Sequence, residues 1–229
     1  MEEQFIPITL PSKCKSYQNV DPSKIVIRPF KGKEVELLDE LNLDNSKKKF
    51  LTIITNVLKG IAPENLTSGD AKYIMLWEAI NSYGKDYPVT AICENCLQEV
   101  EIVCDLTKIN VVELPDDFKE PFEVKLSKDV INLRLPTLHD EVEVLNFGKK
   151  GNSTLLYSYA RTIINEEDLL TNLEMLRDIS SQELHSIETA HKKHEHGPDM
   201  LSSYKCPLCE YEGKLELPFR FENLLSFRD

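Results

Sequence analysis

Glycine is scarce in this chain, 8 among 229 residues. None completes the G-x-G-x-x-G of a dinucleotide site, the phosphate loop G-x-x-x-x-G-K-S/T or the G-x-S-x-G of a nucleophile elbow. Phosphate cradling and acyl transfer therefore have no foothold, and no catalytic residue or enzymatic activity is expected. Basic charge is in deficit too: 27 Lys and Arg face 39 Asp and Glu, a formal charge of -12. That balance disfavours nucleic acid and anionic membrane as main partners, because binding to phosphates rests on Lys and Arg. No apolar run approaches the 18 residues or so of a membrane span. The opening MEEQFIPITL places two acids where a secretory leader carries positive charge, and it lacks a long apolar region. The expected compartment is a reducing cytoplasm, or a particle assembled there.

What remains is an ordinary soluble composition, 41% hydrophobic and 29% charged. A chain of this length forms one large domain or two lobes and needs no staple to fold. Phe5 to Leu10 and Lys24 to Ile27 read as short strands around a loop rich in turn residues. Val35, Leu37, Leu38 and Leu41 mark a short helix face. Phe50, Ile53, Ile54, Val57, Leu58 and Ile61 mark a longer one, ended by Pro63. A third helix begins near Thr67, with Asp70 at capping distance, carries Tyr73, Ile74, Trp77 and Ile80, and stops at Gly84. Period-two runs follow around Val89, Ile92, Val100, Ile102, Val111 and Val112. Val124 to Leu126 and Val130 to Leu135 are further strands either side of a Ser127-Lys128-Asp129 turn. Helices return at Leu138, Val142 and Leu145 (capped by Thr137 and Asp140, stopped at Gly148), at Leu155 to Ile163, at Leu169 to Leu176, and after a Ser180–Glu183 capping box. Gly197 and Pro198 break the last of these. Strand pattern and a short amphipathic tail (Phe219, Leu224, Leu225, Phe227) close the chain.

The chemistry lies in the cysteines. Cys93-Glu94-Asn95-Cys96 sits between the strand-like runs Tyr87 to Ile92 and Glu99 to Val103. Cys206-Pro207-Leu208-Cys209 sits between Leu201 to Tyr204 and Lys214 to Leu217. A strand, a tight turn offering two sulfurs and a returning strand make a zinc knuckle, and two knuckles supply the four thiolates of a closed structural Zn²⁺ site. Cys93, Cys96, Cys206 and Cys209 are therefore the expected ligands of one zinc per chain. Cys206 follows Cys96 by 110 positions, far beyond the common spacing of about 15 to 20. The alternatives are two unrelated cysteine pairs or one redox-active motif. A redox motif would open a helix, which lowers the thiol pKa, whereas both motifs here run into strand pattern. A long insertion is tolerable because loop-closure cost grows only logarithmically.

The predicted fold is thus α+β: a helical protein with a zinc ribbon split by a helical insertion. Residues 1–84 form an N-terminal β-hairpin and helices, and 85–136 the first half-ribbon and a β segment. Residues 137–197 form the insertion, and 198–229 the second half-ribbon and tail. Cys104 is expected in the core, while Cys14 carries no signal. His191, His194 and His196 are expected at a solvated helix end, favoured there by the helix dipole, and the lone His139 and His185 as structural residues. Asp116-Asp117 and Glu166-Glu167-Asp168 are expected to be solvated at turns and helix starts, and Trp77 to face the core.

The order of these segments resembles the T4-type bacteriophage baseplate hub assembly proteins, the T4 baseplate protein family. The similarity runs through Leu10-Pro11-Ser12, Ile27-Arg28-Pro29-Phe30, the Lys33-Glu34 helix start, Leu66-Thr67, Tyr73 to Trp77 and Ser82-Tyr83-Gly84. It continues through the first Cys-x-x-Cys, Glu99-Val100-Glu101, Asp105-Leu106, Leu135-Pro136-Thr137 and the late CPxC, nearly the whole chain. Leu97 and Glu210 stand where family knuckles usually carry Gly after the second Cys. The resemblance implies a structural protein of the phage tail that builds the baseplate or its hub through contacts with other tail proteins. It would act in the host cytoplasm during assembly, as a chaperone or a component of the virion. The rival classes are a zinc-ribbon nucleic-acid binder or transcription regulator, which the acidic charge opposes, and a thiol oxidoreductase.

Overall fold

The computed structural model describes residues 4–39 and 46–217. Strands β1 (Ile6–Pro7) and β2 (Val26–Ile27) pair antiparallel, as the first strand-like runs predict, although both are shorter. Helix α1 (Gly32–Asp39) buries Leu38 and, unexpectedly, Glu34. Glu34 receives both Arg28 guanidinium nitrogens, Nη1 at 3.1 Å and Nη2 at 3.0 Å, in a buried bidentate pair. Leu41 and the predicted tail residues Phe219, Leu224, Leu225 and Phe227 lie outside the described residues.

Helix α2 (Ser46–Val57) does not continue to Pro63 as its apolar pattern predicts. Leu58 and Lys59 leave it as β3, which adds to β2 and makes a three-stranded sheet in the order β1-β2-β3. Gly60 then takes φ 94, and a Cβ there would lie 2.5 Å from the Lys24 carbonyl oxygen. The backbone bonds gained from β2, and a glycine at the close approach, override the helical pattern. Helix α3 (Ser68–Glu78) starts at Thr67, whose hydroxyl accepts the Asp70 N–H. It ends through a wide turn over Ala79–Tyr83 at Gly84, φ 110. Ala71, Ile74, Met75 and Leu76 are all buried, so α3 is the central helix of the first core, with Trp77 packed half-buried against it.

Strands β4 (Asp86–Ile92) and β5 (Glu99–Asp105) form the hairpin that carries the first Cys-x-x-Cys. Its inward residues Tyr87, Val100, Ile102 and Cys104 join the first core. Strand β6 (Val111–Val112) follows, then the hairpin of β7 (Phe122–Lys125) and β8 (Val130–Leu133). Helices α4 (Leu138–Lys149), α5 (Leu155–Ala160), α6 (Leu169–Asp178) and α7 (Ser181–Lys193) come next. The predicted capping boxes of Thr137 with Asp140 and Ser180 with Glu183 are both present. A second core gathers Phe118, Phe122, Val124, Ile131 and Leu133 with Leu173, Leu176 and Ile187.

Gly197 and Pro198 end the helical run as expected, and they also form β9, paired antiparallel with β6. Strands β10 (Leu201–Lys205) and β11 (Glu212–Glu216) make the last hairpin, which carries the second Cys-x-x-Cys. Both helices and strands are present, an α+β fold. Among the described residues, no helix is long and apolar enough to cross a membrane.

Candidate metal centre

The β4–β5 and β10–β11 hairpins bring their turns together, and the four cysteine sulfurs of the two motifs all lie within 4.8 Å of one another. Cys93 Sγ is 3.7 Å from Cys209 Sγ, and Cys96 Sγ is 3.9 Å from Cys206 Sγ. Sulfurs held about 2.3 Å from one tetrahedral centre are about 3.8 Å apart. The four can therefore hold a metal ion. Cys93 and Cys206 are buried, while Cys96 and Cys209 are partly covered.

Each knuckle is built by the same backbone bonds. The Cys93 N–H donates to Gln98 O and the Leu97 N–H to Cys93 O, both at 2.9 Å. The Cys206 N–H donates to Tyr211 O at 2.8 Å and the Glu210 N–H to Cys206 O at 3.0 Å. The residue after the second cysteine is left-handed in both, Leu97 at φ 57 and Glu210 at φ 58. The turn thus forms in both motifs with Leu and Glu at a left-handed position that suits glycine. Across the pair, the Asn95 side chain donates to Cys209 Sγ at 3.5 Å and the Tyr211 hydroxyl to Glu94 at 3.1 Å.

These donors act on the thiols. The Asn95 amide, then the Tyr211 N–H, pull Cys209 down to about 6. The backbone N–H groups of Cys96 and Asn95 lower Cys93 against its desolvation. At Cys96 the Gln98 N–H lowers the thiol, but desolvation and the neighbouring sulfurs outweigh it and push it up to about 11. Crowded sulfurs cannot all shed their protons unless a cation offsets the charge, which is the setting that favours metal binding over free thiols.

The other cysteines stay apart from this cluster. Cys104 is a core residue, 1% exposed, as expected. Cys14 is half-buried against the first core at φ 59. His139 and His185 are exposed on their helices, and His185 pairs with Glu188.

His191, His194 and His196 correct the expectation of a solvated helix end. His194 packs on Phe118 and Phe122, with ring centroids 5.0 and 4.7 Å away, and His191 stacks on Tyr159 at 5.8 Å. Thr162 Oγ1 donates to the Tyr159 carbonyl, so it accepts from His191 Nε2 at 3.1 Å. Burial, then His194 and Arg134, push His191 down to about 4. The segment around Phe118 and Phe122 closes over the end of α7, a long-range contact invisible to local pattern. An open cavity of about 370 Å³ beside it is lined in part by Lys72, Tyr159, Glu188 and these histidines, and shares no residue with the sulfur cluster.

His196 belongs to a buried network that local sequence signals did not reveal. Asp70 receives the Ser12 N–H at 2.9 Å and the hydroxyls of Ser12 and Tyr17. The Tyr17 oxygen accepts the Thr67 N–H at 2.9 Å. His196 Nδ1 faces the His194 carbonyl and so carries the proton, leaving Nε2 to accept from the Thr67 hydroxyl at 2.7 Å. This network pins the N-terminal loop, the start of α3 and the end of the α4–α7 region at one point. Thr67 also bridges to Thr137, with the Ser68 N–H on Pro136 O at 2.9 Å. The exposed acids behave as expected: Asp116 pairs with Lys13 and Lys15, and Asp168 caps α6.

No curated protein and no solved structure matches the chain. The family model described as T4 bacteriophage base plate protein matches residues 5–227. That span takes in both knuckles, the Arg28–Glu34 pair and the joint of Leu66-Thr67 with Leu135-Pro136-Thr137, and the chain therefore belongs to the T4 bacteriophage base plate protein family.

Proposed function

We propose that this protein is a non-catalytic assembly component of a phage tail, building the baseplate or its central hub through contacts with other baseplate proteins. The observation that carries this is the family match over residues 5–227. The site chemistry supports it. Four sulfurs within 4.8 Å suit Zn²⁺ held by Cys93, Cys96, Cys206 and Cys209, and a four-thiolate cage leaves zinc no open position for a substrate. The role of the ion would be structural: it would complete a ribbon from two hairpins and fix how the N-terminal helices and the helical insertion between the knuckles are presented.

Deleting the gene in the phage tests the process. Heads and DNA replication are expected to stay normal while baseplates or hubs fail to complete, and normal tails from the null phage would end this reading. Metal analysis tests the site. One zinc per purified chain is expected, and Cys206→Ser should lose it and loosen both hairpins, since structural zinc contributes roughly 10 to 16 kcal/mol of apparent binding energy.

A further inference from the structure

Three large apolar side chains stand in water around the sulfur cluster. Ile92 is 69% exposed, Leu97 72% and Leu208 64%. Each is the sequence neighbour of a knuckle cysteine: Ile92 of Cys93, Leu97 of Cys96 and Leu208 of Cys209. Because the sulfurs converge, all three residues lie at the turn end of the hairpin pair, each beside a cysteine of the cluster.

Leu97 is the telling residue. Its left-handed backbone, φ 57, suits glycine, and a branched side chain there is strained. Leu97 accepts that strain and leaves its side chain in water, where burial repays nothing. Glu210, its counterpart in the other knuckle, at least reaches Lys205, 3.7 Å away. A local choice that costs stability without an internal gain points to a contact outside the chain.

The charge around this end is predominantly acidic, with Lys205 as the basic residue beside Cys206. Glu94, Glu99 and Glu101 are exposed, and residues 86–107 contain no Lys or Arg. Glu210 and Glu212 add to the acidic rim from the second hairpin. This field repels nucleic acid and anionic lipid, and it opposes a second copy of the same face.

We propose that the knuckle end is a docking surface for another baseplate protein, one with an apolar recess that takes Ile92, Leu97 and Leu208 and a rim of Lys or Arg that meets the acids. The inference rests on the baseplate reading and adds the chemistry of the partner. Apolar anchors would supply the affinity, and the complementary charge would steer the encounter.

The test complements the null phage with the full-length chain. The triple variant Ile92→Thr, Leu97→Gly, Leu208→Ser is expected to keep its metal and to unfold in purified form at a midpoint no lower than that of the wild type, since Leu97→Gly relieves the strain at φ 57. Its phage yield is expected to fall at least roughly tenfold, the scale set by removing a hot spot, with incomplete baseplates accumulating. The pair Glu99→Lys, Glu101→Lys should do the same. A photo-crosslinking residue at position 97 should capture a phage baseplate protein through a peptide bearing Lys or Arg. Capture of residues 218–229 of the same chain, of a second copy or of an acidic peptide overturns the proposal, as does no capture. A defective null phage fully rescued by the triple variant removes this inference alone, whereas normal tails from the null remove the baseplate reading and this inference with it.

Discussion

Gly69, in the first turn of α3, and Gly197, in β9, meet backbone to backbone. A Cβ on Gly69 would lie 2.4 Å from His196 O, and one on Gly197 would lie 2.4 Å from Gly69 O. Neither neighbour is a flexible side chain that could move aside. Gly69→Ala and Gly197→Ala are each expected to destabilise the fold by about 1 to 3 kcal/mol, the range for overpacking. Gly197, at φ 92, should be the worse of the two. Urea unfolding of the single variants checks this, and unchanged midpoints would show that the joint is loose.

The thiols should divide by environment. In native, metal-loaded protein Cys14 alone is expected to react, and slowly, because burial and then Asp70 push its thiol up to about 11. Cys104 is covered by the core. Cys104 and the four knuckle thiols should appear only with chelator and denaturant. Rapid native reaction of all six cysteines would refute the metal cage.

Glu78 should make stability fall as pH rises from about 4.5 to about 8. Burial raises its carboxyl to about 8 from an ordinary 4.5, although Ser82 Oγ and the Phe30 N–H both donate to Oε2. Above pH 4.5 the unfolded chain releases a proton that the folded chain keeps. The contribution is therefore fully present at low pH and is lost as pH rises through about 8. Glu78→Gln keeps an acceptor oxygen and removes the titration. The wild type is expected to lose more stability than this variant between about pH 6 and pH 9. Parallel losses in the two proteins would place the pH dependence elsewhere.

The left-handed knuckle positions offer a gain. Glu210→Gly is expected to raise stability by up to about 1 kcal/mol, because it relieves φ 58 and the Glu210 side chain it removes is exposed. A calorimetric scan of the two purified proteins, each with Zn²⁺ added, reads the shift. A marked drop in stability would mean that the exposed Glu210–Lys205 pair outweighs the backbone strain, against the small worth of surface ion pairs.

The local signals were legible wherever short-range chemistry decides. Thr67, Thr137 and Ser180 begin helices because their hydroxyls reach N–H groups three residues on. The alternation from Val100 to Cys104 placed a half-buried strand, and the Cys-x-x-Cys spacing marked two tight turns between strands. Pattern failed at Leu58, where an apolar helical period met a stronger offer of strand bonds from Val26 and Ile27. It failed again at His191 and His194, whose covering rings come from Phe118 and Phe122, about seventy positions earlier.

By itself, the sequence determined the helix starts, the two knuckle turns and the membership of the four cysteines in paired motifs. All of these depend on residues a few positions apart. Only the tertiary structure decided that sulfurs 110 positions apart would converge to 3.9 Å. It alone joined Ser12, Asp70, Thr67 and His196 in one buried network, and left Leu97 strained and exposed at the end of the hairpin pair. Those outcomes depend on which distant surfaces pack against each other. A local period carries no record of its partner, because the free energy of packing belongs to the pair of surfaces and not to either one.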